Sequence, residues 1–303
     1  SIDYAILKEA AQAGGASALS DITELEAAGG QQSLVAPAKY TTGSRPTYVF
    51  ERRFIDGIPM NTVLLDSRTS EANRLEAALL QGIKAGQQTL SRMPKIIVTY
   101  DGDEFGTIEE SDMQLPHRAF DAHVRLGFDA GDTTKSILTN ERYIAARNAS
   151  VAHAWGLFDI GPITVVLGGW DRTRKKHQAR FASCVTGEII GVLSDQEAEP
   201  SKVVTHRSGA RIDPIGASMS FSSKKEVEIR QRLELPPAKK GKEGKGSGLV
   251  IGAIPPGTGE DALDGISAQR IIRSRVLSFA TLRSLEFDKG AEGDQAIRAL
   301  LAA

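Results

Sequence analysis

Residues 64–80, LLDSRTSEANRLEAALL, contain the end of an apolar strand, a polar turn and the start of a helix. Leu75 and Leu79 recur at helical spacing and predict a buried stripe on one face of that helix. A hydroxyl at Ser67 or Thr69 can accept a hydrogen bond from the free amides of the first helical turn. We therefore expect the rest of the fold to be organised around this strand–turn–helix unit.

The same turn carries groups that suit an anion. We expect Asn73 and Arg74 in the first turn of the helix, where a guanidinium and free backbone N–H groups can bind a phosphate. Arg68 and Ser70 belong to the same candidate phosphate site. The stretch alone leaves open the alternative of an ordinary capped helix with solvated polar residues.

The chain has 303 residues, of which 41% are hydrophobic and 25% charged, and it can therefore bury a core without disulfides or metals. Its formal net charge of −1 gives no sign of a polyanionic partner, so such a partner must be argued from local clusters of charge. The single cysteine, Cys184, excludes an intramolecular disulfide and favours a reducing, cytoplasmic environment. No run is long and apolar enough for a membrane-spanning helix, and we expect no membrane partner.

Helices and strands are predicted to alternate irregularly along the chain. Period-two patterns and apolar runs predict strands at 18–27, 46–55, 60–65, 95–100, 162–170 and 182–193, with a hairpin turn at Asp56 and Gly57. Helical periodicity predicts helices at 3–13, from the turn at 66–69 to about 86, over most of 115–148, at 261–285 and at 294–301, with a helix or hairpin at 224–235. Residues 31–45 and 205–214 are predicted loops, and 236–247, PPAKKGKEGKGS, a flexible one. This mixture predicts an α+β fold.

The densest basic run is 171–180, DRTRKKHQAR. It follows Trp170, whose ring could stack on a base, and cations combined with stacking hold single strands without reading their sequence. The candidate contacts in this run are Arg172, Arg174, Lys175 and Lys176. The alternative is a solvated loop beside a structural tryptophan.

The sequence contains no phosphate-binding loop, nucleophile elbow or zinc-protease motif. The five histidines are not spaced as convergent ligands, so we predict neither a metal nor a cofactor. No aromatic RNP1 octamer occurs, which argues against a standard base-stacking RRM sheet.

Six separated segments together resemble one family, in the order SRTSEANRLEAALL, LPHRAFDAHVR, VLGGWD…ARF…GEIIG, SGARIDP, GAIPPG and VLSFATLRSLEF. The family is the RAMP-type backbone subunit of CRISPR Cascade complexes of subtype I-G, formerly I-U, and the resemblance runs from about residue 18 to 287. The chain departs from it after Trp170, where a basic stretch stands in place of the expected glycine-rich loop.

The resemblance implies a single domain over 1–303, with a modified RRM (ferredoxin-like) core and insertions that form a palm, fingers and a thumb. It implies a non-catalytic subunit that stacks head to tail on the spacer part of the crRNA, flips a base aside at intervals and presents the others to target DNA. The implied partners are the crRNA, other copies of the chain, a large subunit and a fused guide-processing subunit. His117, Arg118 and Arg211 lie in matching segments and are carried over as RNA or neighbour contacts, while Lys39 and Arg45 are candidates in a mobile basic loop.

Two enzymatic alternatives stay open at this point. Related RAMP proteins include nucleases, and His117 as general base with Asp129 or Asp171 could assist cleavage of guide or target RNA. A metabolic α/β enzyme has less support, because the sequence contains no cofactor fingerprint.

Overall fold

The computed structural model describes residues 2–43, 45–102, 106–207, 221–238, 249, 257–259 and 262–303. Within these residues the helices are α1 (Tyr4–Ala10), α2 (Arg68–Lys84), α3 (Gln88–Ser91), α4 (Ala122–Arg125), α5 (Glu141–Asn148), α6 (Trp155–Phe158), α7 (Pro162–Leu167), α8 (Ser223–Arg232), α9 (Phe279–Arg283) and α10 (Gly290–Ala302). The strands are β1 (Ala18–Leu25), β2 (Tyr40–Thr42), β3 (Arg45–Thr47), β4 (Phe50–Ile55), β5 (Ile58–Asp66), β6 (Ile97–Tyr100), β7 (Ile108–Ser111), β8 (Phe128–Asp129), β9 (Asp132–Ser136), β10 (Gly169–Trp170), β11 (Arg180–Phe181), β12 (Val185–Leu193), β13 (Thr205–His206), β14 (Leu263–Gly265) and β15 (Ala268–Ser278).

The main sheet has five strands in the order β1-β15-β12-β5-β4. β1 pairs antiparallel with β15 along its whole length. β4 and β5 form an antiparallel hairpin, and its turn residues Asp56 and Gly57 both have the positive φ that a tight Asp-Gly turn requires. The chain is therefore an α+β protein, as predicted, and its mixed, antiparallel architecture is consistent with a RAMP-like fold.

The chain divides into two compact units, each built from discontinuous segments. Unit 1 comprises Ser1–Leu25, Leu65–Ile190 and Ile271–Ala303, and unit 2 comprises Glu26–Leu64 and Gly191–Arg270. The single domain with insertions that the resemblance implies stays a prediction.

Unit 1 contains the predicted helix α2. The hydroxyl of Ser67 caps it by accepting a hydrogen bond from the backbone N–H of Ser70. The predicted stripe of α2 packs against a buried cluster formed by Met113, Ile163 and Leu167. A larger core in the same unit contains side chains from distant parts of the sequence, including Phe120, Leu157, Phe279, Leu282 and Phe287.

Unit 2 has its own buried apolar side chains, among them Tyr48, Val63, Val192 and Ile266. Within it, the end of the predicted loop at 31–45 contains the strand β2, which forms a small antiparallel hairpin with β3 at the start of the predicted strand 46–55. The predicted loop at 205–214 begins with β13, which pairs with β14, and its residues from 208 onward lie outside the described ones, as do residues 239–247 of the lysine- and glycine-rich segment.

The secondary structure was predicted wrongly for two segments. The segment PITVVL, predicted as a strand, is the helix α7, because Pro162 favours the first helical position and the helix is buried on nearly every side. The long helix predicted at 261–285 is mainly the strand β15 followed by the short helix α9. Sheet pairing with β1 outweighs the helical spacing of Ile272 and Val276.

The segment 115–148 is less helical than predicted. It contains α4 and α5, but the hairpin of β8 and β9 lies between them, with Gly131 in its turn. In the described part of the chain, no helix combines the length and apolarity that crossing a bilayer would require.

Candidate nucleic-acid interface

Unit 1 contains a cleft of about 810 Å³. We call it the basic cleft, because the charged side chains among its lining residues are all arginines and none is an aspartate or glutamate. The lining residues that bear on its function are His117, Arg118, Arg125, Trp170, Arg172 and Arg180. The cleft thus brings together two segments that the sequence places about 50 residues apart and that were both predicted to contact RNA.

One wall of the basic cleft is the hairpin of β10 and β11, in which Gly169 pairs with Phe181 and Trp170 with Arg180. Gly168, just before the hairpin, has a φ of +83°, and a Cβ on it would lie 2.9 Å from both Phe181 O and Ser183 N. Only glycine fits there without strain, which explains the first of the two glycines that precede Trp170.

Residues 171–179 connect β10 to β11, and we call them the basic loop. Asp171 anchors it: the carboxylate is fully buried and accepts hydrogen bonds from Arg147 Nε and Thr173 Oγ1, each at 2.7 Å. Burial alone would raise the pKa of Asp171, but these hydrogen bonds outweigh it and hold the pKa below its ordinary value. The aspartate is therefore a charged structural anchor.

The basic side chains of this loop that were predicted to contact RNA lie in two different environments. The guanidinium of Arg174 is occupied, since its Nη1 donates to Arg147 O and to Asn148 Oδ1 at 2.7 Å each. Arg172, Lys175 and Lys176 are exposed and present their charges to solvent. These three side chains are thus the ones placed to meet an external anion.

Arg118 lines the basic cleft and also makes hydrogen bonds inside the protein. It donates to both carboxylate oxygens of Glu76 on α2, at 2.6 and 3.2 Å, and to Gly168 O at 3.2 Å. The Glu76 side chain is 4% exposed; burial raises its pKa, and the pairing with Arg118 partly opposes that rise. Arg118 thereby joins α2 to the glycine turn that shapes the cleft.

A second buried carboxyl, that of Asp112, lies close enough to Glu76 for charge repulsion between them to raise its pKa. Asp112 is fully buried, and its Oδ2 has no hydrogen-bond partner among the residues that the structure describes. Burial is the main cause that raises the pKa of Asp112 to about 6, while the hydroxyl of Ser111 and two backbone groups oppose the rise.

We expect Asp112→Asn to remove a pH dependence of stability. The pKa of Asp112 is higher in the folded state than in the unfolded state, so between these two values the native protein keeps a proton that the unfolded chain has lost. The free energy of unfolding of the wild type should therefore fall as the pH rises from 4 to 7. A shift from 3.8 to about 6 corresponds to a loss on the order of 3 kcal/mol. Urea unfolding at several pH values should therefore show the stability of Asp112→Asn rising relative to that of the wild type over this range. The control is Glu109→Gln, at an exposed position. A constant difference between Asp112→Asn and wild type would contradict this assignment.

The second predicted site, at the start of α2, is different from what was expected. α2 begins at Arg68, so Asn73 and Arg74 lie in its second turn, away from the free N–H groups. The guanidinium of Arg74 donates a hydrogen bond to the Asp66 carboxylate, and its Nε lies 3.7 Å from Glu71 Oε1. The two acidic side chains offset the charge that the arginine was predicted to offer to a phosphate.

Arg68 and Ser70 share that acidic surrounding. Arg68 Nε is 3.8 Å from Glu188 Oε2, although the side chain is 73% exposed. Ser70 donates its backbone N–H to the capping Ser67. Burial raises the pKa of Asp66, but hydrogen bonds from Arg74 and Ser70 outweigh it and hold the pKa below its ordinary value. Of this group, Arg68, Asn73 and Arg74 are exposed, but the guanidinium of Arg74 is paired with Asp66.

The other predicted contacts lie elsewhere. Lys39 and Arg45 belong to unit 2, beside and within the β2–β3 hairpin, and both are exposed. Arg211 lies outside the described residues. Arg125 and Arg180 line the basic cleft but were not among the predicted contacts, although Arg180 ends the basic run and Arg125 ends the segment LPHRAFDAHVR of the family resemblance.

No group of three or more His, Cys, Asp or Glu side chains that could hold a metal occurs within the residues the structure describes. Cys184 is buried, which raises the pKa of its thiol to about 11 and makes it unreactive at neutral pH.

The fold and the cleft define an α+β protein with an arginine-lined, acid-free surface suited to a polyanion. A model of the family "CRISPR-associated protein GSU0053" matches residues 19–195, more than half of the chain, and the chain belongs to that family. It is thus a CRISPR-associated protein with a role in CRISPR defence, and the matched range includes the whole basic cleft. No curated protein and no solved structure gives a significant match.

Proposed function

We propose that the protein is a non-catalytic backbone subunit of a type I-G CRISPR Cascade effector complex. It binds the spacer part of the crRNA along the phosphate backbone, stacks head to tail with further copies, and leaves bases free to pair with target DNA. Its other partners in the cytoplasm are the large subunit and the fused guide-processing subunit of the complex.

The observation that carries this proposal is the basic cleft, which is lined by Arg172 of the basic loop, together with the exposed Lys175 and Lys176 further along the same loop. Arg172, Lys175 and Lys176 can neutralise phosphates, and phosphate contacts position a strand without reading its sequence. A subunit that must accept any spacer needs this kind of contact. The family membership supports a nucleic-acid partner of CRISPR origin.

The geometry favours binding over the nuclease alternative. Asp171 is buried and paired with Arg147, and Asp129 accepts hydrogen bonds from Asn140 Nδ2 at 2.6 Å and Gly131 N at 2.9 Å. Both carboxylates are thus engaged in holding loops. His117 is exposed at the basic cleft, where it can contact RNA.

We expect the purified protein to bind three unrelated 30-nucleotide single-stranded RNAs with affinities within about threefold of one another. Phosphate contacts are common to all three, so each affinity should fall with salt at the same slope. Filter binding across a salt series measures this, and end-labelled RNA in the same mixtures reports cleavage. A strong preference for one sequence would contradict the backbone mode, and site-specific cleavage lost in His117→Ala would establish the nuclease instead.

A further inference from the structure

Trp170 has the environment of a prearranged aromatic surface. The guanidinium carbon of Arg180 lies over its ring, 5.1 Å from the centroid, as in a cation–π contact. The residue is nevertheless 43% exposed, so a large part of the indole remains open at the basic cleft. The other two aromatic residues that line the cleft, Phe120 and Phe181, are buried and offer no such surface.

The indole is also held in place by hydrogen bonds. Its Nε1–H donates to Gln178 Oε1 at 2.9 Å, and Gln178 Nε2 donates to the backbone carbonyl of Arg174. Arg174 is in turn tied to Arg147 O and Asn148 Oδ1 on α5. A ring fixed in this way loses little conformational entropy when a ligand stacks on it.

The same hydrogen bonds determine what the ring can recognise. A tryptophan has one polar group, Nε1–H, and here Gln178 already occupies it. The ring can therefore contribute only its face, and stacking on an aromatic face tolerates every base.

We infer that Trp170, backed by Arg180 and fixed by Gln178, is a stacking platform for one unpaired nucleobase of any identity. This inference rests on the proposed function and adds a base subsite to a surface otherwise suited to phosphates. Trp170 contacts the base, and Arg180 and Gln178 act as positioning residues for the ring.

The chain supplies a matched control, because it contains two tryptophans. Trp155 is 37% exposed and has Lys289 Nζ 3.7 Å from its ring centroid, but it does not line the basic cleft. Trp155→Phe therefore leaves Trp170 as the only indole fluorophore, and Trp170→Phe leaves Trp155.

The test uses three 12-mers: oligouridylate, oligoadenylate and an abasic ribose-phosphate strand. We expect both oligonucleotides with bases, but not the abasic strand, to quench indole fluorescence in Trp155→Phe, and none to quench it in Trp170→Phe. Trp170→Ala should bind oligoadenylate roughly tenfold more weakly than wild type, while Trp155→Ala binds as wild type does. Gln178→Leu, which keeps the indole but removes its anchor, should bind oligoadenylate with an intermediate affinity.

Trp170→Ala should bind the abasic strand with the same affinity as the wild type, since that strand has no base to stack. Tight binding of oligoadenylate by Trp155→Phe without quenching would overturn the platform and leave the proposed function intact. An equal loss of affinity for the base-bearing and abasic strands in Trp170→Ala would also overturn it. Failure of the wild type to bind any of the three strands would overturn the proposed function and the platform together.

Discussion

Replacing Arg172, Lys175 and Lys176 together with alanine should weaken binding of single-stranded RNA by roughly a hundredfold at 0.1 M salt. Each phosphate contact on a single strand contributes about −0.7 to the slope of log K against log salt, so three lost contacts reduce the slope by about 2. Because the counterion term vanishes near 1 M salt, a slope change of 2 gives about two decades at 0.1 M. These three side chains are exposed, so their replacement should leave the free energy of unfolding nearly unchanged.

A variant with the same loss of charge provides the control for this experiment. Lys8, Lys84 and Arg92 are also exposed residues of unit 1 but do not line the basic cleft. Their triple alanine variant should keep nearly wild-type affinity. Equal weakening of both triple variants would mean that net charge, and not the basic loop, governs binding.

Arg118→Ala should lower the free energy of unfolding by about 3–5 kcal/mol, because it leaves the Glu76 carboxylate buried without its partner. The two side chains are 15% and 4% exposed and are joined by two hydrogen bonds. Urea denaturation followed by circular dichroism measures the loss. The exposed pair of Arg142 and Asp159 is the control, and Arg142→Ala should cost no more than about 1 kcal/mol.

The double variant Glu76→Leu with Arg118→Met separates structure from RNA contact. Replacing both charged partners by apolar side chains of similar size should recover most of the lost stability. RNA affinity in this variant then reports whether Arg118 also touches the strand. A loss in Arg118→Ala as small as that in Arg142→Ala would contradict the structural role of the pair.

The elements predicted correctly are those whose signals are local. The Ser67 cap, the Asp56-Gly57 turn and the stripe of α2 each depend on residues within a few positions of one another. The β15 strand could not be predicted in this way, because its pairing partner β1 lies some 250 residues earlier in the chain. Likewise, α7 is built from β-branched residues, and its helical form depends on the apolar surroundings that the whole of unit 1 provides.

The residues of the candidate site were also predicted only in part. Composition identified the basic loop and Trp170, and the structure places Trp170 and the loop residues Arg172 and Thr173 at one cleft. The pairing of Arg74 with Asp66 and of Arg118 with Glu76 could not be predicted, because ion pairs of this kind are set by tertiary packing. A basic residue in a sequence is therefore weaker evidence for a phosphate contact than a basic residue whose surroundings are known.

The most direct test is an electron cryo-microscopy map of the protein assembled on a guide RNA with its companion subunits. We expect the RNA backbone to run along the basic cleft, with phosphates within about 4 Å of the side chains of the basic loop, the distance of an ion pair. Adjacent copies should follow the strand in one direction. A map in which RNA is bound elsewhere and the basic cleft remains empty would contradict the account.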